Sequence, residues 1–391
     1  MSQTRGFTLI ELMISVTIML VAVAVAAAVM ITGTNVAHKS EMWADQADFS
    51  RAALGELVKN VQLAGNGAPG GVYMNFPTGA PQLYSAAFGI DGRTGTGGSG
   101  APVNPTGDHV WETDDLWVVV PMSGAMKEPC VDRGAGSMLL TSGSDIKVRC
   151  NAGTTLADSF SQFDTLLVSN MRTAALVDVT AVHDSSTPPS LDYSESSVTG
   201  FTNTPGQSGF KAGDLVYGAN LYHYYVRNDA DGVPGLYRAR GVLNSGTPQG
   251  TSYPSATDSY PSQGRPLVDA IVSGAPAATL IQRNVEDLQI AYGIDRSGIG
   301  DPSQFDWVNG LAPAHTGDAV NLRAVRISVV VRSDKPLLDN QGHKILSDSN
   351  RPAAIENHYS DATDVAPDPD GYRRMIYTRT VELPNLAPGS L

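Results

Sequence analysis

Hydrophobic positions along this chain form one dense block near the start, then short clusters separated by polar and Gly-rich stretches. The block begins at Phe7, and from Leu12 to Ile31 it contains 20 residues without a charge. That is close to the ~20 residues a helix needs to cross a bilayer. Glu11 stands inside the block, and a carboxylate in hydrocarbon is costly unless it has a partner. Arg5 precedes the block and Lys39 follows it. The basic residue ahead of the span favours the start of the chain on the cytoplasmic side. From Asn35 to about Ala64 the pattern changes. Ala47, Leu54, Leu57, Val58 and Val61 recur at helical spacing, while Lys39, Glu41, Asp45, Arg51, Glu56 and Lys59 fall mostly elsewhere. Gly65-Asn66-Gly67 followed by Pro69 is a helix stop. The spacing predicts one helix over residues 7–65, with a transmembrane segment at about 9–31 and an amphipathic second half.

Beyond the helix, periodicity switches to that of strands. Leu116–Val120 is a short apolar run, and Met138–Thr141 with Ile146–Arg149 is a candidate hairpin across Gly143. Thr165–Ser169 and Ala175–His183 are further strands. Leu221–Arg227 is an aromatic strand, Asp229-Ala-Asp-Gly a turn, and Leu236–Arg240 the return strand. Leu280–Asp295 is expected as one strand. Leu322–Arg332 alternates, with Val325, Ile327, Val329 and Val331 on one face and Arg326, Ser328 and Arg332 on the other. Arg373–Leu383 is the last strand. Segments 92–107, 187–209, 244–265 and 333–371 are loop-like. The expected division is a leader at 1–6, the helix at 7–65 and a β-rich head at 66–391 with a loop-rich insertion at about 67–210.

The arrangement around Gly6 is unlike an ordinary signal peptide, whose cleavage site follows the apolar stretch. Here the candidate site, Gly6–Phe7, precedes it, so the apolar segment is retained. Gly6, Phe7, Thr8, Leu9, Ile10 and Glu11 together resemble the processing and assembly signal of type IV pilins. The Asn284–Asp295 segment, the Ala324–Arg332 strand and Tyr372–Leu383 with its Arg-Arg start resemble the PilW-like minor pilins. The resemblance covers the first 65 residues and roughly 210–383. It implies an α+β, type IV pilin-like fold: a long N-terminal α-helix packed on a large antiparallel β-rich C-terminal head. It also implies a prepilin peptidase that cuts after Gly6 and methylates Phe7. Glu11 would then pair with the N-terminal amine of a neighbouring subunit's Phe7 and so set axial register, since an unpaired buried charge is strongly unfavourable.

Composition narrows the picture further. The net charge is −13, and loss of Arg5 with the leader makes it more acidic by one. That argues against nucleic acid as the main ligand. The late arginines Arg323, Arg326, Arg332, Arg373, Arg374 and Arg379 are expected to line solvent faces of strands. The two cysteines, Cys130 and Cys150, lie in a chain exported to an oxidising compartment, so one disulfide is expected. Closing that loop would stabilise by roughly 3 kcal/mol in the entropic model. A metal or redox pair is the weaker reading, for lack of Cys-x-x-Cys spacing and a nearby His.

No catalytic constellation emerges, so the expectation is not an enzyme, with no cofactor. Gly95–Gly100 fits Gly-x-Gly-x-x-Gly but lacks the flanking strand and helix. The turns at Asn228–Gly232 and Asp368–Gly371 echo half a calcium loop, yet counting Asp229 as the third position of the first puts Arg238 at the twelfth. They read better as hairpin turns, although some pilin-like relatives bind calcium in the head. Tyr217, Tyr222, Tyr224 and Tyr225 are either a contact face or alternating core and surface positions on one strand.

The resulting expectation is a minor pilin that primes type IV pilus assembly and sits at the tip. It would start in the inner membrane with its head in the periplasm and move to the fibre. Its partners would be the prepilin peptidase, other minor pilins, the major pilin and a tip adhesin. The alternatives are a J-type minor pseudopilin of type II secretion and a pilus-tip adhesin.

Overall fold

The computed structural model describes residues 8–66, 71–74, 82–84, 86–90, 113–121, 138–140, 145–148, 164–169, 174–185, 190–193, 215–229, 231–243, 267–269, 278–309, 321–336, 354–355, 358–359 and 371–383. They fall in two compact units, Met1–Asp48 and Phe49–Leu391. One helix, α1 (Leu9–Leu63), has 55 residues. Thr8 starts it and Gly65, at φ 75°, ends it. There the amides of Ala64 and Asn66 donate to the carbonyls of Val61 and Leu63. A glycine past the last turn takes this left-handed conformation without a Cβ penalty.

Nineteen strands follow among the described residues: β1 (Val72–Met74), β2 (Gln82–Tyr84), β3 (Ala87–Ile90), β4 (Asp115–Pro121), β5 (Met138–Leu140), β6 (Asp145–Val148), β7 (Thr165–Ser169), β8 (Ala174–His183), β9 (Ser190–Tyr193), β10 (Leu215–Asn228), β11 (Pro234–Leu243), β12 (Leu267–Asp269), β13 (Ala278–Arg283), β14 (Val285–Ile294), β15 (Asp306–Asn309), β16 (Leu322–Arg332), β17 (Ala354–Ile355), β18 (His358–Tyr359) and β19 (Arg374–Glu382). Strands β1 to β13 form one sheet, in which β10 pairs with β4, β7 and β11. The order β15-β14-β16-β19 makes a second sheet. Pairing is antiparallel except for a short parallel contact between β1 and β8. The fold is α+β and type IV pilin-like, an apolar N-terminal helix with an antiparallel β-rich C-terminal region. The described strands between Val72 and Tyr193 are built into the same sheet as β10.

Leu280–Asp295 is not one strand, as its alternation suggests, but two. Asn284 has φ 64°, a conformation rare outside Gly and Asn. It breaks the run so that β13 stays with β11 while β14 pairs with β16. Bonds from its own main chain brace the switch: its amide donates to the Pro234 carbonyl, and its carbonyl accepts from the Arg332 amide.

Both sheets and the end of α1 share a core. Leu57, Val61, Leu116, Leu176, Tyr224, Leu236, Leu288, Ile290, Ile327 and Val329 are all buried in it. Asp114 stitches the sheets. Its amide donates to the Leu288 carbonyl at 2.8 Å, and its carboxylate accepts from the Ile290 amide at 2.7 Å. β15 pairs with β14 only from Ala291 onward, so Asp114 serves the part of that edge β15 does not reach. An unpaired buried amide or carbonyl there would be costly.

Candidate assembly site

Leu9–Thr34 is a 26-residue apolar stretch that is exposed throughout. At 1.5 Å per residue it exceeds the ~30 Å hydrocarbon thickness of a bilayer. Ile10, Met19, Leu20, Val29 and Met30 are all more than 60 % exposed. A helix apolar on every side calls for lipid or other helices around it.

Glu11 is held at the first turn. The Thr8 amide and hydroxyl both donate to Glu11 Oε2 at 3.0 Å, and the Glu11 amide donates to Thr8 Oγ1 at 3.3 Å. This is a capping box: the residue before the helix and the third residue within it satisfy each other's end groups. Sequence reasoning assigned Glu11 only to a neighbouring subunit and gave Thr8 no role. The pattern Thr-x-x-Glu before an apolar run was the available signal. Gly6 and Phe7 lie outside the described residues, as do Cys130 and Cys150.

At its other end the helix is seated on the head. Leu54, Leu57, Val58, Val61 and Ala64 form its buried stripe. Two polar contacts fix its rotation. Asn60 Nδ2 donates to the Tyr224 hydroxyl at 2.5 Å, and Glu56 pairs with Arg238, whose guanidinium lies 4.8 Å from the Tyr222 ring. Burial pushes the Tyr224 phenol well above its ordinary range, and the Asn60 hydrogen bond opposes that only in part. Tyr224 thus stays neutral and can act as an acceptor for Asn60.

Tyr222, Tyr224 and Tyr225 do not form an exposed contact face. Tyr224 and Tyr225 are both buried, on opposite faces of β10, and Tyr222 is half-buried. The side chain of Tyr217 lies outside the description. On the face away from Tyr224, rings stack in a column. Trp117 and His223 are 3.7 Å apart and nearly parallel, His223 and Tyr225 4.5 Å apart, and Tyr225 and Tyr237 6.1 Å apart. Arg227 caps Tyr237 at 4.2 Å.

Of the late arginines, Arg379 is exposed as expected, whereas Arg374 and Arg332 depart from expectation. Arg374 is buried and grips Glu286 with two nitrogens, at 2.5 and 3.0 Å. Arg332 approaches the same carboxylate at 3.5 Å and covers Tyr372. Glu286 therefore ties β14, β16 and β19 together. Asp229 behaves as a turn residue. Its Oδ1 accepts from the Asp231 and Val233 amides, both at 2.9 Å, and Arg283 takes Oδ2. With the Val233 amide first among the causes, its carboxyl is held below the usual range. Gly232, at φ 74°, supplies the left-handed position of the turn. Gly95–Gly100 and Asp368–Asp370 lie outside the described residues.

Comparison with known proteins now adds two matches. Residues 1–27 match the prokaryotic N-terminal methylation motif, and residues 223–385 match the type IV pilus-assembly protein W family. No curated protein and no solved structure matches. The methylation motif, the apolar helix and the antiparallel head define a type IV pilin-like protein. Within that class the two matches support a PilW-like minor pilin, and the part of the chain that resembles that family, residues 223–385, holds the described strands from the end of β10 onward. Both matched families are assembly families rather than catalytic ones.

Proposed function

We propose that this chain is a minor pilin that primes type IV pilus assembly and occupies the fibre tip. The coarser statement stands on the matches: it is a type IV pilus-assembly protein with a prepilin-type, membrane-anchoring N-terminus. The observation that supports a role in assembly is the contrast within α1. Apolar side chains are exposed all round at its start, whereas a one-sided stripe is buried in the head at its end. The first part is built to pack against other helices, and the second is already satisfied within the chain.

In this reading residues 1–6 are the leader, residues 7–65 the helix and residues 66–391 the head. Prepilin peptidase cuts after Gly6 and methylates Phe7. The processed helix waits in the inner membrane with the head in the periplasm. On assembly Glu11 meets the Phe7 amine of a neighbouring subunit, which fixes axial register, because a carboxylate surrounded by hydrocarbon discriminates strongly between paired and unpaired positions. Cys130 and Cys150 close one disulfide in the oxidising compartment. The large head favours the tip, since a bulky head repeats poorly along a tight shaft.

Deleting the gene and labelling the restored protein with immunogold tests this directly. The expected result is few or no fibres without the chain, and label confined to fibre ends when it is restored. Label spaced along the shaft would remove the tip assignment, and normal fibre numbers without the chain would remove the priming role.

A further inference from the structure

We draw no further inference here: the strongest candidate, the edge strand β19 that ends the second sheet among the described residues, carries none because nothing in the structure shows what covers it.

Discussion

Leu20 and Leu57 lie on one continuous helix, yet the first is 65 % exposed and the second fully buried. Around Leu20 every face of the helix is apolar. Around Leu57 only one stripe is apolar, and it is covered by strands of the head. The difference teaches how one element divides two tasks. The early part leaves its hydrophobic surface for partners outside the chain, and the late part spends its hydrophobic surface on folding. Mutations in the two parts should therefore report on different processes.

The largest effect is expected at Glu11. Glu11→Ala leaves the scissile bond untouched, so cleavage should continue while incorporation into fibres falls by tenfold or more, on the order of the cost of losing a buried charge pair. Glu11→Gln separates the capping of Thr8 seen in the structure from the proposed charge pair. Its amide oxygen can still accept from Thr8, so the cap survives and only the charge is lost. Failure of both variants in sheared-fibre blots would favour register by charge. Function in the Gln variant alone would mean that capping is what matters.

Next comes Leu57→Ala, which should destabilise the head by about 2–5 kcal/mol, read as thermal unfolding of the detergent-solubilised chain. Leu20→Ala should leave that transition unmoved. Equal effects from the two would break the division of the helix. Tyr224→Phe is a smaller perturbation. It strips the buried Asn60 amide of its acceptor and should cost about 1–3 kcal/mol in the same measurement, with no change in processing.

The smallest expected effect lies in the loop between β14 and β15, which neither end of the helix uses. Asp295 accepts from the Ser297 hydroxyl and from the Gly298 and Gly300 amides, all at 2.8 Å. The Ser297 hydroxyl first, then these amides, hold its carboxyl below the usual range. A depressed folded value means a stabilisation that is complete above the unfolded value of about 3.9 and is lost only as the pH falls through the lower, folded one. The melting difference between wild type and Asp295→Asn should therefore be flat from pH 7 to 5 and shrink below about 4. A difference that faded near neutrality would contradict the assigned cause.

How far these features were legible in the sequence depended on how local their causes are. The helix, its stop at Gly65 and the strands β4, β7, β16 and β19 follow from periodicity, because apolar spacing along the chain is itself the cause of their burial. The break at Asn284 was hidden because the apolar pattern continues through it; only the left-handed conformation of one residue divides the strand. The role of Glu286 was hidden because its partner Arg374 lies 88 residues away. Strand alternation alone placed that arginine in solvent. Asp114 is a similar case: its amide and carboxylate take over main-chain bonds of a strand 176 residues on. At the assembly site Glu11 was visible as a charge out of place, whereas the partner in its own chain, Thr8, was overlooked although the capping pattern is local.

The most direct test of the central claim is mass spectrometry of fibres sheared from cells, seeking the peptide that begins at Phe7. That peptide is expected with a methylated N-terminus, at trace level beside a dominant pilin. A chain found only in the envelope, or one that still carries residues 1–6 in the fibre, would contradict it.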